Sequence, residues 1–484
     1  MSKISRRQFV RKSAAASTAF GLFTIAGTKA SGRVLGANDT IRVGVAGISG
    51  RGRSHIDAFA HKLKDENVQV TYLIDPDSRL YESRKKLVSR GGNSDPKCVP
   101  DIRTALDDQN LDVVTVATCN HWHSLITIWA CQAGKDVYVE KPISHNVFEG
   151  RKCVEAAAKY GRVVQHGTQQ RSSLERAKEI AALQSGKYGK LLVSKGYCCK
   201  PRWSIGTKST ETPPSELDFN LWLGPAPDQP YHDNLVHYNW HWFWDTGNGD
   251  IGNQGVHEMD VARWAIKGAT LPKSVWSVGG RFGYEDQGET PNTQLSVYDY
   301  GDVLLIFEVR GLVENKTGVP RRVGNEYYTT DGLIRDSKFF QDGKGEGEPL
   351  ADVDAHVTPG GTFGAFIHAV RSRKPEDNNA SAEVAHYSAA LCHLGNISYR
   401  LGQPAKYDKV SGSLGGNKRV VESLDNLTHN LKAIGGNLQE TTYMLGPKLE
   451  FDAQSERFTG QGADAANPLL SRAYRNPFVV PEQV

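Results

Sequence analysis

Residues 40–52 read Thr40-Ile-Arg-Val-Gly-Val-Ala-Gly-Ile-Ser-Gly-Arg-Gly52, an apolar run that breaks into glycines. Its β-branched residues predict a strand, and the glycines predict a tight turn that leads into a helix. The first N–H groups of a helix have no intrahelical acceptor, so they attract an anion such as a pyrophosphate. The register is a G-x-G-x-x-G fingerprint with serine in the second place. It predicts a phosphate-binding turn formed by Gly47, Ser49, Gly50, Arg51 and Gly52.

A second strand-like run follows about 20 residues later. It extends from Val68 to Ile74 and ends in Asp75. A carboxylate at this place accepts hydrogen bonds from the two hydroxyl groups of a ribose. The turn and the carboxylate together predict dinucleotide binding, and a glycine-rich turn in another kind of α/β domain is the alternative.

Length and composition limit the kind of protein. The chain has 484 residues, which predicts two or three domains, and a formal net charge of +4. Its 58 basic residues are scattered, which argues against a nucleic-acid partner. The seven cysteines form no Cys-x-x-Cys pair, which argues against a disulfide framework. Beyond the N-terminal segment no stretch reaches ~18 consecutive apolar residues, so we expect no stable membrane anchor in the mature protein.

The N-terminal segment has the pattern of a twin-arginine export signal. Ser5-Arg-Arg-Gln-Phe-Val-Arg-Lys12 precedes a mildly apolar stretch, and Thr28-Lys-Ala30 offers small residues for cleavage. We expect residues 1–38 to be a signal peptide and linker, and the mature protein to be periplasmic or otherwise extracytoplasmic. A disordered basic tail and an uncleaved anchor are the alternatives. Because this route carries folded proteins, we hypothesise that a nucleotide loaded inside the cell stays bound and is recycled in each turnover.

The order of strand-like and helix-like segments predicts an α/β protein. Their alternation over residues 39–167 is typical of a Rossmann domain with a doubly wound parallel sheet. Residues 168–408 contain several strand-like runs with few helices between them, which predicts a C-terminal α/β domain with a large open, mainly antiparallel sheet and helices on one face. Residues 409–484 form an extension, and its weak pattern does not show whether it packs on the outside or mediates oligomer contacts.

Polar residues follow two of the predicted parallel strands. Asn120 and His123 lie in a predicted loop after one strand, and Glu140-Lys141-Pro142 follows the next. Ligands of doubly wound sheets bind at this edge, so we expect Asn120 and His123 to hold the nicotinamide end of a dinucleotide. Proline disfavours a helical conformation at Lys141, and an amine fixed there can hydrogen-bond a substrate hydroxyl and relay its proton. A surface lysine before a helix is the alternative.

A glycine-rich loop leads into a predicted helix that carries Asn253, His257 and Asp260. On one helix these three side chains share a face. Histidine moves a proton near neutral pH, and an aspartate beside it can fix its tautomer. A structural histidine at the start of a helix is the alternative.

Aromatic residues cluster at Arg202-Trp203 and in the run His237-Tyr-Asn-Trp-His-Trp-Phe-Trp244. Flat rings with polar neighbours suit stacking against sugar rings. Arg202, Trp203 and Trp242 are therefore candidates for substrate contact, with plain packing as the alternative. The histidines here have no accompanying set of carboxylates or cysteines, and we predict no metal site.

These motifs, taken in order, resemble those of the Gfo/Idh/MocA oxidoreductase family over residues 39–402. The resemblance implies a Rossmann domain and an α/β domain whose open sheet often forms oligomer contacts, so we expect a homo-oligomer through that sheet. It also implies NAD- or NADP-dependent oxidation or reduction of sugars, inositols and related compounds. Lys141 would bind substrate and relay a proton, and His257 would be the general acid/base while hydride passes between a sugar carbon and the nicotinamide. Glu140 is placed with the cofactor-binding residues and Asp260 with those that bind substrate.

Two features bear on the cofactor and the reaction. A carboxylate at Asp75 repels the 2′-phosphate of NADP and favours NAD, although Arg79 nearby leaves the choice open. Asn253 stands where many dehydrogenases of the family have aspartate, and it can orient a substrate but cannot accept a proton. Cys119 stands where a proline is common, which affects the loop around Asn120.

Three functions follow from this sequence. The first is an exported NAD-dependent oxidoreductase that acts on a hydroxyl carbon of a sugar, sugar acid or glycoside. The second is a glycoside hydrolase that retains NAD and works through transient oxidation, elimination and addition of water. The third is a non-catalytic protein that binds nucleotide and sugar, for which Asn253 is the supporting feature.

Overall fold

The computed structural model describes residues 39–90, 95–341 and 345–484. The predicted export signal and linker, residues 1–38, lie outside the described residues. None of the helices in the described part of the chain is long and apolar enough to cross a membrane.

The first sheet has six parallel strands in the order β3-β2-β1-β4-β5-β6. The chain order reverses between β1 and β4, and the carboxyl ends of these two strands form the switch point at which such sheets bind ligands. The predicted Rossmann sheet is therefore confirmed. Its strands are β1 (Ile41–Ala46), β2 (Val68–Ile74), β3 (Lys97–Val99), β4 (Val113–Val116), β5 (Asp136–Val139) and β6 (Val164–His166).

Helices connect these strands, and side chains cap two of them. Asp101 accepts a hydrogen bond from the N–H of Arg103, and Asn146 accepts one from the N–H of Glu149. One prediction is wrong here: the helix after β4 begins at Asn120, so the segment up to His123 is its first turn and not a loop. The helices are α1 (Gly52–Asp57), α2 (Tyr81–Ser89), α3 (Ile102–Leu106), α4 (Asn120–Gln132) and α5 (Val147–Tyr160).

The second sheet is mixed and mostly antiparallel, as predicted. The sheet has twelve strands. Strands β7 and β10 pair in parallel, and the other pairs of strands in this sheet are antiparallel. The strands are β7 (Leu191–Cys199), β8 (Ser274–Gly280), β9 (Thr293–Asp299), β10 (Leu304–Arg310), β11 (Arg322–Thr329), β12 (Leu333–Arg335), β13 (Lys338–Phe340), β14 (Glu348–Pro349), β15 (Gln403–Ala405), β16 (Tyr443–Leu445), β17 (Leu449–Asp452) and β18 (Arg457–Thr459).

The remaining helices follow the Rossmann strands in the chain. One of them, α10, packs its Phe366 and Val370 side chains against the Rossmann strands, although it follows the second sheet in sequence. The helices are α6 (Leu174–Gln184), α7 (Phe219–Leu223), α8 (Gly249–Asn253), α9 (Gly255–Ala265), α10 (Gly361–Ser372), α11 (Ala382–Arg400), α12 (Tyr407–Gly412), α13 (Lys418–Ala433) and α14 (Ala463–Ala466).

Helices cover both faces of the second sheet over β8, β9 and β10, whereas the sequence predicted helices on one face. On the inner face, α9 and α11 pack against Phe307 and Tyr298. On the outer face, α13 packs Leu424 and Leu427 against Val297. The C-terminal extension is thus part of the sheet domain, and it also contributes β16, β17 and β18 to the sheet.

A long connection between β7 and α8 reaches back over the Rossmann domain, and we call residues 200–247 the roof segment. Its Asp218 N–H donates to the carbonyl of Pro76 at 2.9 Å, and its Glu216 carbonyl accepts from Ser78 at 3.0 Å. These bonds hold the roof segment over the carboxyl end of β2.

Candidate active site

A cavity of about 380 Å³ lies between the switch point of the Rossmann sheet, the α8–α9 junction and the roof segment. Its volume is in the range of small-molecule sites. Among the described residues, no group of His, Cys, Asp and Glu side chains is arranged to hold a metal ion. The cavity brings together most of the predicted site residues: Gly47, Ser49, Gly50, Arg51, Asp75, Asn120, His123, Glu140, Lys141, Asn253 and His257.

The glycine turn after β1 fits a pyrophosphate. Gly47 has a φ of 78°, and a Cβ there would lie 2.5 Å from the backbone nitrogen of Thr118. Gly50 has open space at the position of a Cβ. The N–H groups of Ser49, Gly50 and Arg51 have no hydrogen-bond acceptor among the described residues. Free donors around an open space are what an anionic diphosphate requires.

Asp75 lies buried at the end of β2, on the edge of the cavity. Its two carboxylate oxygens accept from the N–H groups of Ile48 at 2.9 Å and Asp77 at 3.0 Å. Burial raises the pKa of Asp75, and these two hydrogen bonds oppose that shift. Each oxygen keeps a lone pair for a ribose hydroxyl, because a carboxylate oxygen accepts two hydrogen bonds.

Arg79, which the sequence left as a possible phosphate ligand, is engaged elsewhere. Its Nε and one terminal nitrogen donate to Asp77 at 2.8 and 2.6 Å. The ring of His237 in the roof segment contacts the same carboxylate at 2.8 Å. This ion pair engages one edge of the guanidinium and leaves fewer of its N–H groups for a 2′-phosphate.

Asn120 and His123 line the cavity from the first turn of α4. The amide nitrogen of Asn120 donates to the side-chain oxygen of Asn248 at 3.0 Å, which ties the Rossmann domain to the loop before α8. The two ring nitrogens of His123 lie 2.7 Å from the carbonyl of Pro142 and 3.0 Å from that of Thr118. His123 therefore orders the chain on either side of the site.

Glu140 lines the cavity beside the glycine turn. One carboxylate oxygen accepts from Arg51 Nε at 2.8 Å and lies 3.1 Å from the ring of His55. Although burial disfavours the charged form, the hydrogen bond with His55 and the charge of Arg51 lower the pKa of Glu140 well below its ordinary value. The ionised carboxylate fixes Arg51 where the turn meets the cavity.

Lys141 and Asn253 meet at the far end of the cavity. Helix α8 ends at Asn253. In a continuous helix the N–H of His257 would donate to the carbonyl of Asn253, but here it donates to the carbonyl of Gln254, so the Asn253 carbonyl is available to another donor. Lys141 Nζ donates to this carbonyl at 2.9 Å and to the side-chain oxygen of Asn253 at 3.1 Å. Burial lowers the pKa of Lys141, and the charge of Glu140 opposes that shift. Asn253 thus positions Lys141, which retains a third N–H for a ligand.

His257 projects into the same end of the cavity from the first turn of α9. Its ring makes no hydrogen bond to any residue that the structure describes. Burial lowers the pKa of His257 to about 3, and the charge of Lys141 acts in the same direction. The ring is therefore neutral near pH 7 and can accept a proton.

Asp260, predicted to bind substrate, has a different role. It is fully buried and does not line the cavity. Its carboxylate accepts from Arg171 Nε at 2.9 Å and from the hydroxyl of Ser388 at 2.6 Å. It also makes no hydrogen bond to His257 among the described contacts. Asp260 therefore ties α9 to α11 beneath the site.

The three aromatic-cluster candidates also lie outside the cavity lining. Arg202 donates to Asp250 at 2.7 Å, and its guanidinium lies 5.1 Å from the ring centroid of Trp242. Trp203 packs against the apolar cluster under α13. The predicted substrate contacts of Arg202, Trp203 and Trp242 are therefore replaced by packing, the alternative that the sequence left open.

Other rings of the roof segment line the cavity instead, and sequence reasoning did not select them. Tyr238, Trp240 and His241 come from the same aromatic run. Residues Asn239–Trp242 form one 3₁₀ turn, which points successive rings in different directions. A run in which nearly every residue is aromatic has no periodicity that would separate cavity-facing from core-facing rings. Gln169 and Trp222 complete this wall, and no motif marks either of them.

Comparison with known proteins agrees with this architecture. Residues 41–168 match the model of an oxidoreductase family described as an NAD-binding Rossmann fold, and residues 184–290 match the C-terminal α/β domain of that family. The chain is 26% identical over 275 residues to an inositol 2-dehydrogenase/D-chiro-inositol 3-dehydrogenase of Lacticaseibacillus casei, covering 54% of this chain and 75% of that protein. It is 24% identical over 192 residues to a glycosyl hydrolase family 109 protein of Shewanella pealeana, covering 39% of this chain and 41% of that protein.

Solved structures share the fold at low sequence identity. A levoglucosan dehydrogenase in complex with NADH and levoglucosan superposes with a TM-score of 0.53 at 17% identity, over 74% of this chain and 97% of that one. The WlbA dehydrogenase of Bordetella pertussis, in complex with NADH and UDP-GlcNAcA, superposes with a TM-score of 0.56 at 15% identity, over 74% and 97%. Both domains of the Gfo/Idh/MocA oxidoreductases are thus matched in order along this chain, and the first of them is an NAD-binding Rossmann domain.

Proposed function

We propose that the protein is an exported NAD-dependent oxidoreductase that acts on a hydroxyl carbon of a sugar, sugar acid or glycoside. One observation carries the proposal: Lys141, Asn253 and His257 converge at one end of a cavity whose other end is the nucleotide-binding turn and Asp75. The dehydrogenases of similar sequence or fold that act on inositols and levoglucosan support the substrate class.

The residues divide the work as follows. Ser49, Gly50 and Arg51 hold the diphosphate, and Asp75 holds the ribose of the adenosine. NAD, when bound, supplies the hydride acceptor or donor. Lys141 donates a hydrogen bond to the reacting hydroxyl, and the neutral ring of His257 accepts the hydroxyl proton. Asn253 holds Lys141 in place through two oxygens.

One experiment tests cofactor and reaction together. The purified mature protein is denatured and the released nucleotide is identified; the intact protein is then mixed with a panel of sugars, sugar acids and glycosides. A net change in nicotinamide absorbance with one class of sugar supports the dehydrogenase. If the purified protein releases no nicotinamide nucleotide and also fails to bind added NAD, the proposal is wrong. Bound nucleotide that reacts with no sugar would support the non-catalytic alternative.

Replacing Asp75 with alanine is expected to weaken NAD binding by about tenfold to a hundredfold, because two ribose hydroxyls lose their charged acceptor. The dissociation constant is measured by calorimetry on protein freed of nucleotide. Asp464 is exposed on the C-terminal extension, and Asp464→Ala serves as the matched control that leaves affinity unchanged. Normal NAD occupancy in Asp75→Ala protein would remove the ribose assignment.

The pH dependence of kcat/KM should lack the usual histidine step. Burial lowers the pKa of His257 to about 3, so its ring stays neutral above about pH 5 and the profile shows no step from this residue near pH 6.5. Burial lowers the pKa of Lys141 from its ordinary 10.5. As the pH rises, Lys141 therefore loses its proton earlier than a free lysine does, and activity falls on the alkaline side. Lys141→Arg, whose guanidinium keeps its charge, should move this alkaline loss of activity to higher pH. A step in the wild-type profile near pH 6.5 would contradict the enclosed position of His257.

A second candidate function, a glycoside hydrolase that retains NAD, is favoured by the roof segment. The roof bonds to the Rossmann domain near Asp77 and closes over the nucleotide end of the cavity. It also adds a second imidazole, His241, whose pKa burial lowers to about 3. Elimination of a leaving group needs a base that takes the carbon-bound proton and an acid that protonates the leaving group. A second neutral ring supplies the base, and the ammonium of Lys141 in the same cavity is the proton donor. Release of the leaving group without net change in nicotinamide absorbance would support this candidate over the dehydrogenase.

The export part of the proposal rests on the sequence of residues 5–12 and the apolar stretch that follows. Fractionation of cells that produce the full chain tests it. Recovery of all the protein from the cytoplasm would remove this part and leave the enzymatic proposal untouched.

A further inference from the structure

Tyr238 has an unusual position for a large aromatic residue. Among the described residues, six large apolar side chains are exposed, and Tyr238 is the one aromatic among them, with 56% of its surface exposed. It is also the one of the six that lines the active-site cavity. Single exposed apolar residues are ordinary on a protein surface, but an exposed ring at the rim of a catalytic cavity is placed to meet a ligand.

The ring rests on a built support rather than on a free loop. The ring centroid of His241 lies 4.9 Å from that of Tyr238 and 3.6 Å from that of Trp240, on which His241 stacks at 18°. The ring nitrogen Nδ1 of His241 donates to the carbonyl of Tyr238 at 2.5 Å, and Trp240 Nε1 donates to the carbonyl of His237 at 3.1 Å. Tyr238 is therefore held in place before any ligand binds.

The rings of this support differ in exposure: Trp240 is buried and Tyr238 is exposed. His241 lies within electrostatic reach of Lys141, whose charge contributes to the lowered pKa of the ring. Tyr238 contacts His241 and is the most exposed of the three rings. Its hydroxyl makes no hydrogen bond to any described residue. His241 thus has Lys141 within electrostatic reach and the exposed Tyr238 ring in contact, and all three line one cavity.

We propose that Tyr238 is the platform of an outer sugar subsite, so that the substrate is a glycoside or oligosaccharide with a second ring beyond the reacting one. This inference rests on the proposed function of the inner site. A pyranose ring has an apolar C–H face that stacks on an aromatic ring and hydroxyls that reach a phenol. In this proposal Lys141 and His257 hold the reacting ring, and a second ring linked to it stacks on Tyr238.

Calorimetry on the nucleotide-loaded protein tests the inference without relying on turnover. The probes are methyl glucoside, methyl galactoside and methyl mannoside, each matched with cellobiose, lactose or mannobiose. At least one disaccharide is expected to bind about tenfold more tightly than its methyl glycoside. Tyr238→Ala should reduce that ratio toward one, and Tyr238→Phe, which keeps the ring, should preserve most of it. Leu192→Ala, at a residue 43% exposed outside the cavity lining, is the control that changes neither affinity.

The outcomes separate this inference from the proposed function. If methyl glycosides bind and no disaccharide binds more tightly, the outer subsite is overturned and the inner site stands. A ratio that is unchanged in Tyr238→Ala protein, with a wild-type melting temperature, also overturns it. If no probe of either kind binds the wild-type protein, the outer subsite is overturned, and the nicotinamide assay with the full panel of sugars, sugar acids and glycosides decides the proposed function.

Discussion

Replacement of His257 by alanine is expected to lower kcat by about 10³-fold while the purified protein still contains as much nucleotide as the wild type. The ring projects into the cavity, is neutral at working pH and makes no hydrogen bond to any described residue, so nothing in the fold depends on it. Its loss removes the proton acceptor for the substrate hydroxyl. Steady-state kinetics on the reactive sugar and the nucleotide released on denaturation measure the two quantities.

The control for this variant is His368→Ala. His368 lies on α10 with 54% of its side chain exposed, and its ring nitrogen lies 3.3 Å from the carboxylate of Asp377. Its substitution should leave kcat and nucleotide content at wild-type values. Turnover of His257→Ala protein at the wild-type rate would remove His257 from the catalytic site, and loss of nucleotide along with turnover would show that the ring acts through the cofactor site instead.

The residues that local motifs selected meet in one cavity because each lies at the end or the beginning of one element. Lys141 follows β5, Asp75 follows β2, and His257 lies in the first turn of α9, so the strand or helix itself directs the side chain to the cavity. Such placement depends on a few neighbouring residues, and the sequence displays them.

Residues whose neighbours are distant in sequence could not be placed in this way. Asp260 shares a helix with His257, as predicted, but its carboxylate is held by Arg171, 89 residues earlier. Trp242 lies under the guanidinium of Arg202, and the choice between Trp242 and Tyr238 depends on one 3₁₀ turn. These contacts form only when the two domains and the roof segment come together, so periodicity and motif spacing carry no signal of them.

The C-terminal extension changes the expectation of an oligomer through the open sheet. Over β8, β9 and β10 the outer face is covered by α13 of the same chain, through Leu424, Leu427 and Leu431. A homo-oligomer through the second sheet stays a prediction, and over β8, β9 and β10 it would have to contact α13 rather than the strands. Light scattering on the purified protein gives the oligomeric state.

The glycine fingerprint combines two functions that the sequence alone does not separate. The motif predicts that its glycines admit a phosphate to the backbone. In the structure, Ser49, Gly50 and Arg51 line the cavity, whereas Gly52 does not. A Cβ on Gly52 would lie 1.9 Å from the carbonyl oxygen of Gly47. Gly52 is thus required by the packing of the turn itself.

Gly52→Ala is accordingly expected to destabilise the Rossmann domain by about 3 kcal/mol and to empty it of nucleotide. The turn cannot relax, because the obstacle is backbone and Gly47 is itself confined by Thr118. Thermal unfolding of nucleotide-free protein measures the first effect, and nucleotide content after purification measures the second. Gly50→Ala, two residues earlier with open space at its Cβ, should unfold at the wild-type temperature. If both variants unfold alike, the third glycine of the fingerprint is not required by backbone packing, and its contribution to binding must come from contact with the phosphate.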